Sequence, residues 1–312
     1  FIRGTQRKIQ QHKIHRLVWQ SASVAAVFMI VLFSVLFTRE NRPPESSVVN
    51  DVPVAGKTQA VLSLPDGRQV ALGNEKEQDT AWMKYVEACT IESKATTEPA
   101  DIKIEVARGG EYKIRLEDGT TVWLNSESSL IYPEKFTGDK RAVRLSGEGY
   151  FEVARDEKKP FIVSVTDMEI KVLGTKFNVT AYQDEKMTTT TLISGAVEVV
   201  TPHRSVQLQP GKQAMVQEGG DDITVLEVDV ELATSWTAGI FKFDKMALTD
   251  ICTRLSRWYD IDFVFEGETG KEKFTGGTWK YVPLKDFLSK IERVTNVLFL
   301  FENNTVKVVP KK

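Results

Sequence analysis

The longest apolar stretch of the chain lies near its start. Residues 17–37 are 21 consecutive positions without a charged side chain, which is the length that an α-helix needs to cross the hydrocarbon core of a bilayer. We therefore predict a single N-terminal transmembrane helix over residues 17–38. A secretory signal peptide would have a shorter apolar core and a small-x-small cleavage site, so the pattern favours a retained anchor.

The charges beside this stretch predict its orientation. Residues 1–42 carry seven Lys or Arg and only Glu40, a surplus of six, and the net charge of −2 for the whole chain leaves −8 for the remainder. Because the flank before the helix is purely basic, the positive-inside rule places residues 1–16 in the cytoplasm and the bulk of the chain on the other side. The acidic remainder excludes a general nucleic-acid binder, which needs a positive surface.

Beyond the helix the pattern is first polar and then alternating. Residues 39–55 contain three prolines and read as an extended linker. Residues 62–72 and 114–124 then each show an alternating strand, an Asp-Gly pair and a second strand. Asp66-Gly67 and Asp118-Gly119 supply the positive φ that a tight turn requires, so we predict two β-hairpins.

Alternating strands continue to about residue 231, separated by Gly, Pro or Asp, with almost no helical period. Residues 74–101 have no sustained pattern and read as an insertion. We therefore predict an all-β domain over residues 56–235, of twisted solenoid or sandwich type. A two-residue period does not show the order of the strands, so both architectures stay open.

From residue 236 the spacing changes. A short strand is followed by Leu248, Ile251 and Leu255 at helical spacing and then by a second strand, and the same unit returns 36 residues later with Leu284 in place of Leu248. We predict a small α+β domain of two βαβ halves over residues 236–312, which makes the protein mainly β overall.

Signals for catalytic or metal chemistry are weak. Cys89 and Cys252 lack any metal or redox spacing, and two buried free thiols are favoured over a disulfide, which stays open. Glu148 and Glu152 resemble a glycosidase pair only in composition and read as solvated residues. Phosphate loops and zinc motifs do not occur in the sequence, so we predict no cofactor, no metal and no multiple-turnover enzyme.

Aromatic residues in the β-region raise the question of sugar binding. Trp123 ends a hairpin strand and Trp258 follows a helical stripe, so both are predicted to be core residues. Trp279, Lys280 and Tyr281 precede the second helix and are less easily buried. We therefore predict that these three form a partner-contact edge.

Several ordered motifs resemble one known family. They are LEDGTTVWLN at residues 116–125, GEGYFEV at 147–153, KPFIV at 159–163 and VLGTKFNV at 172–179. Together they resemble the FecR-type anti-sigma factors, in the version found in the Bacteroidetes branch. The C-terminal half-repeats are similar to the short N-terminal domain of secretins and TonB-dependent transducers.

The resemblance implies a relay across the inner membrane. The main domains would be periplasmic and would contact the signalling domain of an outer-membrane TonB-dependent transporter. The cytoplasmic N-terminus would regulate an extracytoplasmic-function sigma factor. Because the chain opens on Phe1 and not on Met, we expect the sigma-binding region to be mostly absent, which leaves residues 1–16 as a basic stub.

The resemblance also singles out the bond between Gly174 and Thr175. Some relatives cleave themselves at this motif in a single turnover, and a Thr hydroxyl can attack the preceding carbonyl to form an ester that water opens. Glycine leaves that carbonyl unshielded. The competing interpretation is a simple glycine turn between two strands, and the sequence names no base for the reaction.

Two functions from other classes stay open at this point. One is a membrane-anchored periplasmic protein that binds carbohydrate or assists surface assembly, and the other is a polysaccharide lyase built on a β-solenoid. A compact helical domain upstream of the membrane segment would favour the regulator, whereas a bare signal peptide would favour the alternatives.

Overall fold

The structure is a computed structural model that describes residues 55–73, 101–166 and 168–311. The predicted stub, transmembrane helix and linker up to residue 54 lie outside these ranges, and so does nearly all of the predicted insertion. Within the described ranges, no helix combines the length and the apolar character that a bilayer crossing demands.

Strands dominate the described residues, which confirms the mainly β prediction. The first sixteen strands lie between residues 57 and 227. They are β1 (Lys57–Thr58), β2 (Ala60–Ser63), β3 (Gln69–Leu72), β4 (Asp101–Val106), β5 (Gly110–Arg115), β6 (Thr121–Leu124), β7 (Ser128–Pro133), β8 (Arg141–Glu152), β9 (Phe161–Val165), β10 (Met168–Val172), β11 (Lys176–Ala181), β12 (Met187–Ser194), β13 (Val197–Val200), β14 (Ser205–Leu208), β15 (Lys212–Gln217) and β16 (Ile223–Glu227).

These strands form a β-sandwich whose two layers share β8. One layer has the order β3-β2-β4-β7-β8-β9-β10-β13-β14, and the other has the order β1-β5-β6-β8-β11-β12-β15-β16. Consecutive hairpins alternate between the layers, with β9-β10 and β13-β14 in the first and β11-β12 and β15-β16 in the second. The strand order therefore advances along the molecule as in a solenoid, while the layers pack as in a sandwich.

β8 reaches both layers because its backbone turns at Gly147. Residues before Gly147 pair with β7 and β9, and those after it pair with β6 and β11. Gly147 has φ +90°, and a Cβ atom there would lie 2.7 Å from the carbonyl oxygen of Glu127. Only glycine meets both conditions, so this residue permits the sharing of one strand by two layers.

The layers enclose a single apolar core. Phe151 of β8 is fully buried, with its ring stacked on Phe177 of β11 at 5.0 Å and tilted against Phe161 of the other layer at 6.4 Å. Alternate residues of β4 to β8 face this core, as the two-residue period predicts. Burial of each such side chain contributes about 1.5–3 kcal/mol.

Both predicted Asp-Gly hairpins are confirmed. β2 pairs with β3 across Gly67 at φ +85°, and β5 pairs with β6 across Gly119 at φ +84°. In the second turn the Gly119 amide donates to the carbonyl of Leu116 at 3.0 Å, and the Asp118 carboxylate accepts the Thr120 amide at 3.0 Å. The aspartate thus completes the turn that the glycine makes accessible.

The C-terminal region, residues 230–310, contains three α-helices and five strands among its described residues. They are α1 (Val230–Thr234), β17 (Ile240–Ala247), α2 (Leu248–Tyr259), β18 (Asp262–Phe265), β19 (Lys273–Trp279), α3 (Leu284–Val294), β20 (Val297–Glu302) and β21 (Thr305–Pro310). The predicted order of strand, helix and strand occurs twice.

Among the described strands, the two strands of each half do not pair with each other. β17 pairs with β19, and β18 pairs with β21, which also pairs with β20. Each half therefore contributes its two strands to two different sheets. Periodicity predicts the order of elements, but strand pairing depends on contacts between residues that are far apart in sequence.

The helices of this region cover a second apolar core. Leu248 and Leu255 of α2 and Phe287 of α3 are buried in it. Cys252 is a free, buried thiol whose pKa is raised by burial. Cys89 lies outside the described residues, so its state stays a prediction.

Candidate functional site

The Gly174–Thr175 bond lies where the chain passes from β10 in one layer to β11 in the other. Neighbouring backbone groups are paired: the Leu173 carbonyl accepts the Asp156 amide at 2.8 Å, and the Thr175 carbonyl accepts the Val153 amide at 3.0 Å. The Thr175 side chain is only 4% exposed. The bond therefore belongs to a hydrogen-bonded crossing between layers, with Gly174 half-buried, Thr175 buried and Leu173 exposed.

Among the described residues, the Thr175 hydroxyl forms hydrogen bonds with backbone groups alone. Its Oγ1 donates to the Ala196 carbonyl at 2.8 Å, and the Ala196 amide lies 3.4 Å away as a weaker donor to it. A Cβ on Gly195 would lie 2.8 Å from this Oγ1, and a Cβ on Gly174 would lie 2.7 Å from the Cα of Arg155. The two glycines allow the close packing around the bond. Among the described hydrogen bonds, the Ala196 carbonyl is the only acceptor for the proton of the Thr175 hydroxyl.

The predicted partner-contact edge lies at the end of β19, before α3. Trp279 is 61% exposed and Tyr281 is 57% exposed, so both rings are open to a binding partner. Contact with a partner at these two residues stays a prediction. Lys280, by contrast, is completely buried.

The assignment of Lys280 to the exposed edge is therefore wrong. Its Nζ lies 2.8 Å from the Glu111 carboxylate of β5 and 3.8 Å from the centroid of the Trp258 ring. Burial lowers the pKa of Lys280, while the charge of Glu111 opposes that shift. Lys280 and Tyr281 lie in the turn after β19, and in this turn the Lys280 side chain points inward while Trp279 and Tyr281 point outward.

Arg257, near the end of α2, forms the largest ionic contact between the β-sandwich and the C-terminal region. Its guanidinium lies 2.6 Å from Asp184, 2.6 Å from Glu185 and 3.3 Å from Glu127, and it stacks 3.6 Å from the ring centroid of Tyr182. Burial alone would lower the pKa of Arg257, but the phenol oxygen of Tyr182 and the carboxylates of Glu185 and Asp184 raise it overall. The guanidinium therefore stays charged and bridges the two regions.

Arg108 makes a second ionic contact from the turn between β4 and β5. Its guanidinium donates to Asp262 at 2.9 Å and to the carbonyls of Ser256 and Ile261 at 3.0 and 2.7 Å. Ser256 lies in the last turn of α2, and Ile261 follows its C-cap residue, Asp260. Arg108 thus binds the C-terminal end of that helix from the β-sandwich.

We call the contact made by Arg108, Glu111, Arg257 and Lys280 the junction. It joins the β-sandwich to the C-terminal region through buried or half-buried charges. Groups of three or more potential metal ligands do not occur among the described residues. The junction is thus a set of ion pairs and hydrogen bonds between the two regions.

Three earlier predictions on single residues can be compared with the structure. Trp258 is buried, as predicted. Trp123 is only half-buried and packs its edge on Tyr150 at 5.3 Å, so its assignment to the core is wrong. The Glu148 carboxylate accepts the side-chain amide of Asn178 at 3.0 Å and is half-buried, so it is not a freely solvated group.

Sequence reasoning missed the residues of the junction other than Lys280. Arg108 and Glu111 lie before residue 114, where the second predicted hairpin begins. Arg257 lies beside the apolar stripe of α2 and looks like a solvated helical residue. No periodic signal marks these residues, because their partners come from segments about 70 to 170 positions away.

Comparisons with known proteins agree with this architecture. The family described as FecR protein matches residues 102–198, and the family described as FecR, C-terminal, matches residues 240–308. No curated protein matches the chain.

Two crystal structures of a candidate anti-sigma factor from Parabacteroides distasonis ATCC 8503, at 1.65 and 2.50 Å resolution, are similar to this chain. Both are 30% identical to it with a TM-score of 0.63. The first match covers 67% of this chain and 99% of the solved one, and the second covers 68% and 100%. The chain belongs to the FecR family of anti-sigma regulators.

Proposed function

We propose that this anti-sigma regulator relays a signal from an outer-membrane TonB-dependent transporter to an extracytoplasmic-function sigma factor. It would be a single-pass inner-membrane protein with a cytoplasmic N-terminus and periplasmic β-sandwich and C-terminal region. The signalling domain of the transporter would bind the C-terminal region. The protein would act by binding and not by repeated turnover of a substrate.

The observation that carries the proposal is the position of the Trp279 and Tyr281 rings. They are open to a partner, yet they flank Lys280, which is paired with Glu111 of the β-sandwich. Exposed aromatic rings on a rigid base are typical of the residues that contribute most to binding energy at protein interfaces. A partner bound there would act directly on a contact that joins both regions.

The test is calorimetry with the full chain in lipid nanodiscs and the signalling domain of the transporter encoded beside it. We expect micromolar or tighter binding, and we expect Trp279→Ala and Tyr281→Ala each to weaken it about tenfold or more. Leu226→Ala is the matched control, because Leu226 is an exposed apolar residue on β16 of the β-sandwich. Absence of binding between two folded proteins would refute the proposed partner.

We further propose that the chain cleaves itself once at Gly174–Thr175. The Thr175 oxygen would attack the Gly174 carbonyl carbon, the C–N bond would break as the nitrogen takes up the hydroxyl proton, and water would hydrolyse the resulting ester. The hydrogen bond from Oγ1 to the Ala196 carbonyl supports this, because it fixes the hydroxyl beside the bond. Fixed geometry is a large part of the advantage of an intramolecular reaction.

Cleavage is tested by comparing fragment sizes of the wild type and Thr175→Ala on a denaturing gel after expression. We expect two fragments from the wild type and one intact band from Thr175→Ala. Thr175→Ser is the control, since it keeps the nucleophilic oxygen and is expected to cleave. A wild type that stays whole in cells would refute self-cleavage and leave the proposed partner untouched.

A further inference from the structure

Residues 55–59, which we call the N-terminal strap, lie along the edge of β5. The Lys57 amide donates to the Gly109 carbonyl at 2.8 Å, and the Gln59 amide donates to the Glu111 carbonyl at 3.0 Å. Within the strap, β1 runs parallel to β5, unlike the antiparallel pairings around it. The strap begins at residue 55, the last residue of the predicted linker, and leads into β2 of the β-sandwich.

The strap also contacts the C-terminal region. Gly56 lies against the Trp258 indole so closely that a Cβ would be 2.6 Å from a ring carbon, and Ala55 packs on the second apolar core. Glycine is therefore required where the strap crosses the indole. At Ala55 and Gly56, which are half-buried, the strap lies against α2, whereas Lys57, Thr58 and Gln59 run exposed along β5.

The two residues that position the strap also position the partner-contact edge. The Trp258 Nε1 donates to the Lys280 carbonyl at 2.7 Å, and its indole meets the Tyr281 ring edge-on at 5.7 Å. The Glu111 carboxylate accepts hydrogen bonds from the Lys280 ammonium at 2.8 Å and from the Tyr281 hydroxyl at 2.8 Å. Glu111 thus contacts the strap through its carbonyl and the edge through its carboxylate.

We propose that the strap and the edge around Tyr281 form one cooperative unit, so that displacement of Tyr281 releases the strap from β5 and Trp258. The identity of the ligand that displaces Tyr281 rests on the proposed function, but the coupling is a property of this chain alone. Because the two segments share Glu111 and Trp258, the free energy that orders one also orders the other. By thermodynamic linkage the coupling acts equally in both directions.

The coupling has a consequence for the membrane side of the molecule. While the strap is bound to β5, it holds residue 55, the end of the predicted linker, against the folded part of the chain. A released strap lengthens that linker by the freed residues. Events at the far C-terminal region thereby reach the segment next to the membrane without unfolding either core.

The test is amide hydrogen exchange of the full chain in lipid nanodiscs, followed on peptides that cover residues 55–59 and 278–282. Tyr281→Phe removes only the hydroxyl contact to Glu111, and we expect exchange at the Lys57 and Gln59 amides to rise about tenfold, as loss of a hydrogen bond to a charged group predicts. Gly56→Ala places a methyl group against Trp258, and we expect a similar rise at the Lys280 amide, which donates to the Gly239 carbonyl.

Lys307→Met is the control, because it removes an exposed ion pair with Glu302 on the other sheet of the C-terminal region. It is expected to leave both peptides at wild-type exchange. The coupling is refuted if Tyr281→Phe and Gly56→Ala, each folded by circular dichroism, change exchange only in their own segment.

Addition of the transporter signalling domain separates the two proposals. Faster strap exchange on binding supports both of them. Binding with an unchanged strap refutes the coupling and leaves the partner assignment intact. Lack of binding, together with the expected exchange in both variants, refutes the partner assignment and supports the coupling.

Discussion

The interior of the β-sandwich and the junction stabilise the protein by opposite means. The sandwich core is built from stacked rings such as Phe151 and Phe177, with apolar side chains from both layers around them. The junction is built from Arg257, Arg108 and Lys280, each facing carboxylates of another segment. Apolar burial contributes stability in proportion to area and has no direction, whereas buried ion pairs contribute little net stability but fix one geometry.

This difference indicates which part of the molecule can change state. A close-packed apolar core has one arrangement, and a change there unfolds it. A set of ion pairs between two cores can be broken while each core stays folded, because charges released to the surface are solvated again. We therefore expect signalling to use the junction, with the cores as rigid bodies on either side of it.

The largest effect is expected from truncation in the sandwich core. Phe151→Ala removes a fully buried ring that touches both layers, and we expect the free energy of unfolding to fall by about 3–5 kcal/mol. Urea denaturation followed by far-ultraviolet circular dichroism measures it. Leu226→Ala, at an exposed position on β16, should change stability by no more than about 0.5 kcal/mol. Equal effects of the two would contradict the core assignment.

An intermediate effect is expected at the junction. Arg257→Met leaves Asp184, Glu185 and Glu127 without their common partner, and we expect a loss of about 2–3 kcal/mol. This is below the full value for a buried pair, because the Asp184 and Glu127 side chains are 64% and 50% exposed and regain water.

The same variant should also separate the two regions in unfolding. We expect the tryptophan fluorescence of the C-terminal region to change at lower urea than the circular dichroism of the sandwich. Arg254→Met, an exposed position on the same helix, should leave the two transitions together. Coincident transitions in Arg257→Met would contradict the view that this residue couples the regions.

The smallest effect is a pH dependence at the partner-contact edge. Burial, then the contact with Glu111, raises the pKa of Tyr281 from its ordinary value of 10.0 to about 12. Between these pH values the unfolded chain loses the proton and the folded chain retains it, so the contribution of Tyr281 is complete below pH 10 and is lost as pH rises toward 12.

We therefore expect Tyr281→Phe to flatten the fall in stability between pH 10 and 12. The change should stay well under the roughly 2.7 kcal/mol that two pKa units represent, because the ring is more than half exposed. Thermal denaturation of both proteins across this range measures it. A wild type and a variant with parallel profiles would show that the hydroxyl is not linked to folding.

The candidate site shows how far sequence reasoning extends. The sequence predicts Trp279, Lys280 and Tyr281 as one exposed edge because they precede the second helix, and Trp279 and Tyr281 are exposed. Lys280 is buried instead. Its burial depends on Glu111, which is 169 positions away in the chain, and no local pattern contains that partner.

The sequence by itself determined the elements. Asp-Gly pairs determined the hairpin turns through the positive φ of glycine, the two-residue period determined which faces of the strands are buried, and helical spacing determined α2 and α3. Family motifs determined the class of regulator.

Only the tertiary structure decided how these elements combine. It decided that β8 belongs to two layers through Gly147, that the strands of each C-terminal half lie in different sheets, and that charges join the two cores at the junction. The physical reason is that pairing and ionic contacts depend on distances between remote segments. Those distances follow from the packing of all the elements together, whereas periodicity reports only on a residue and its near neighbours.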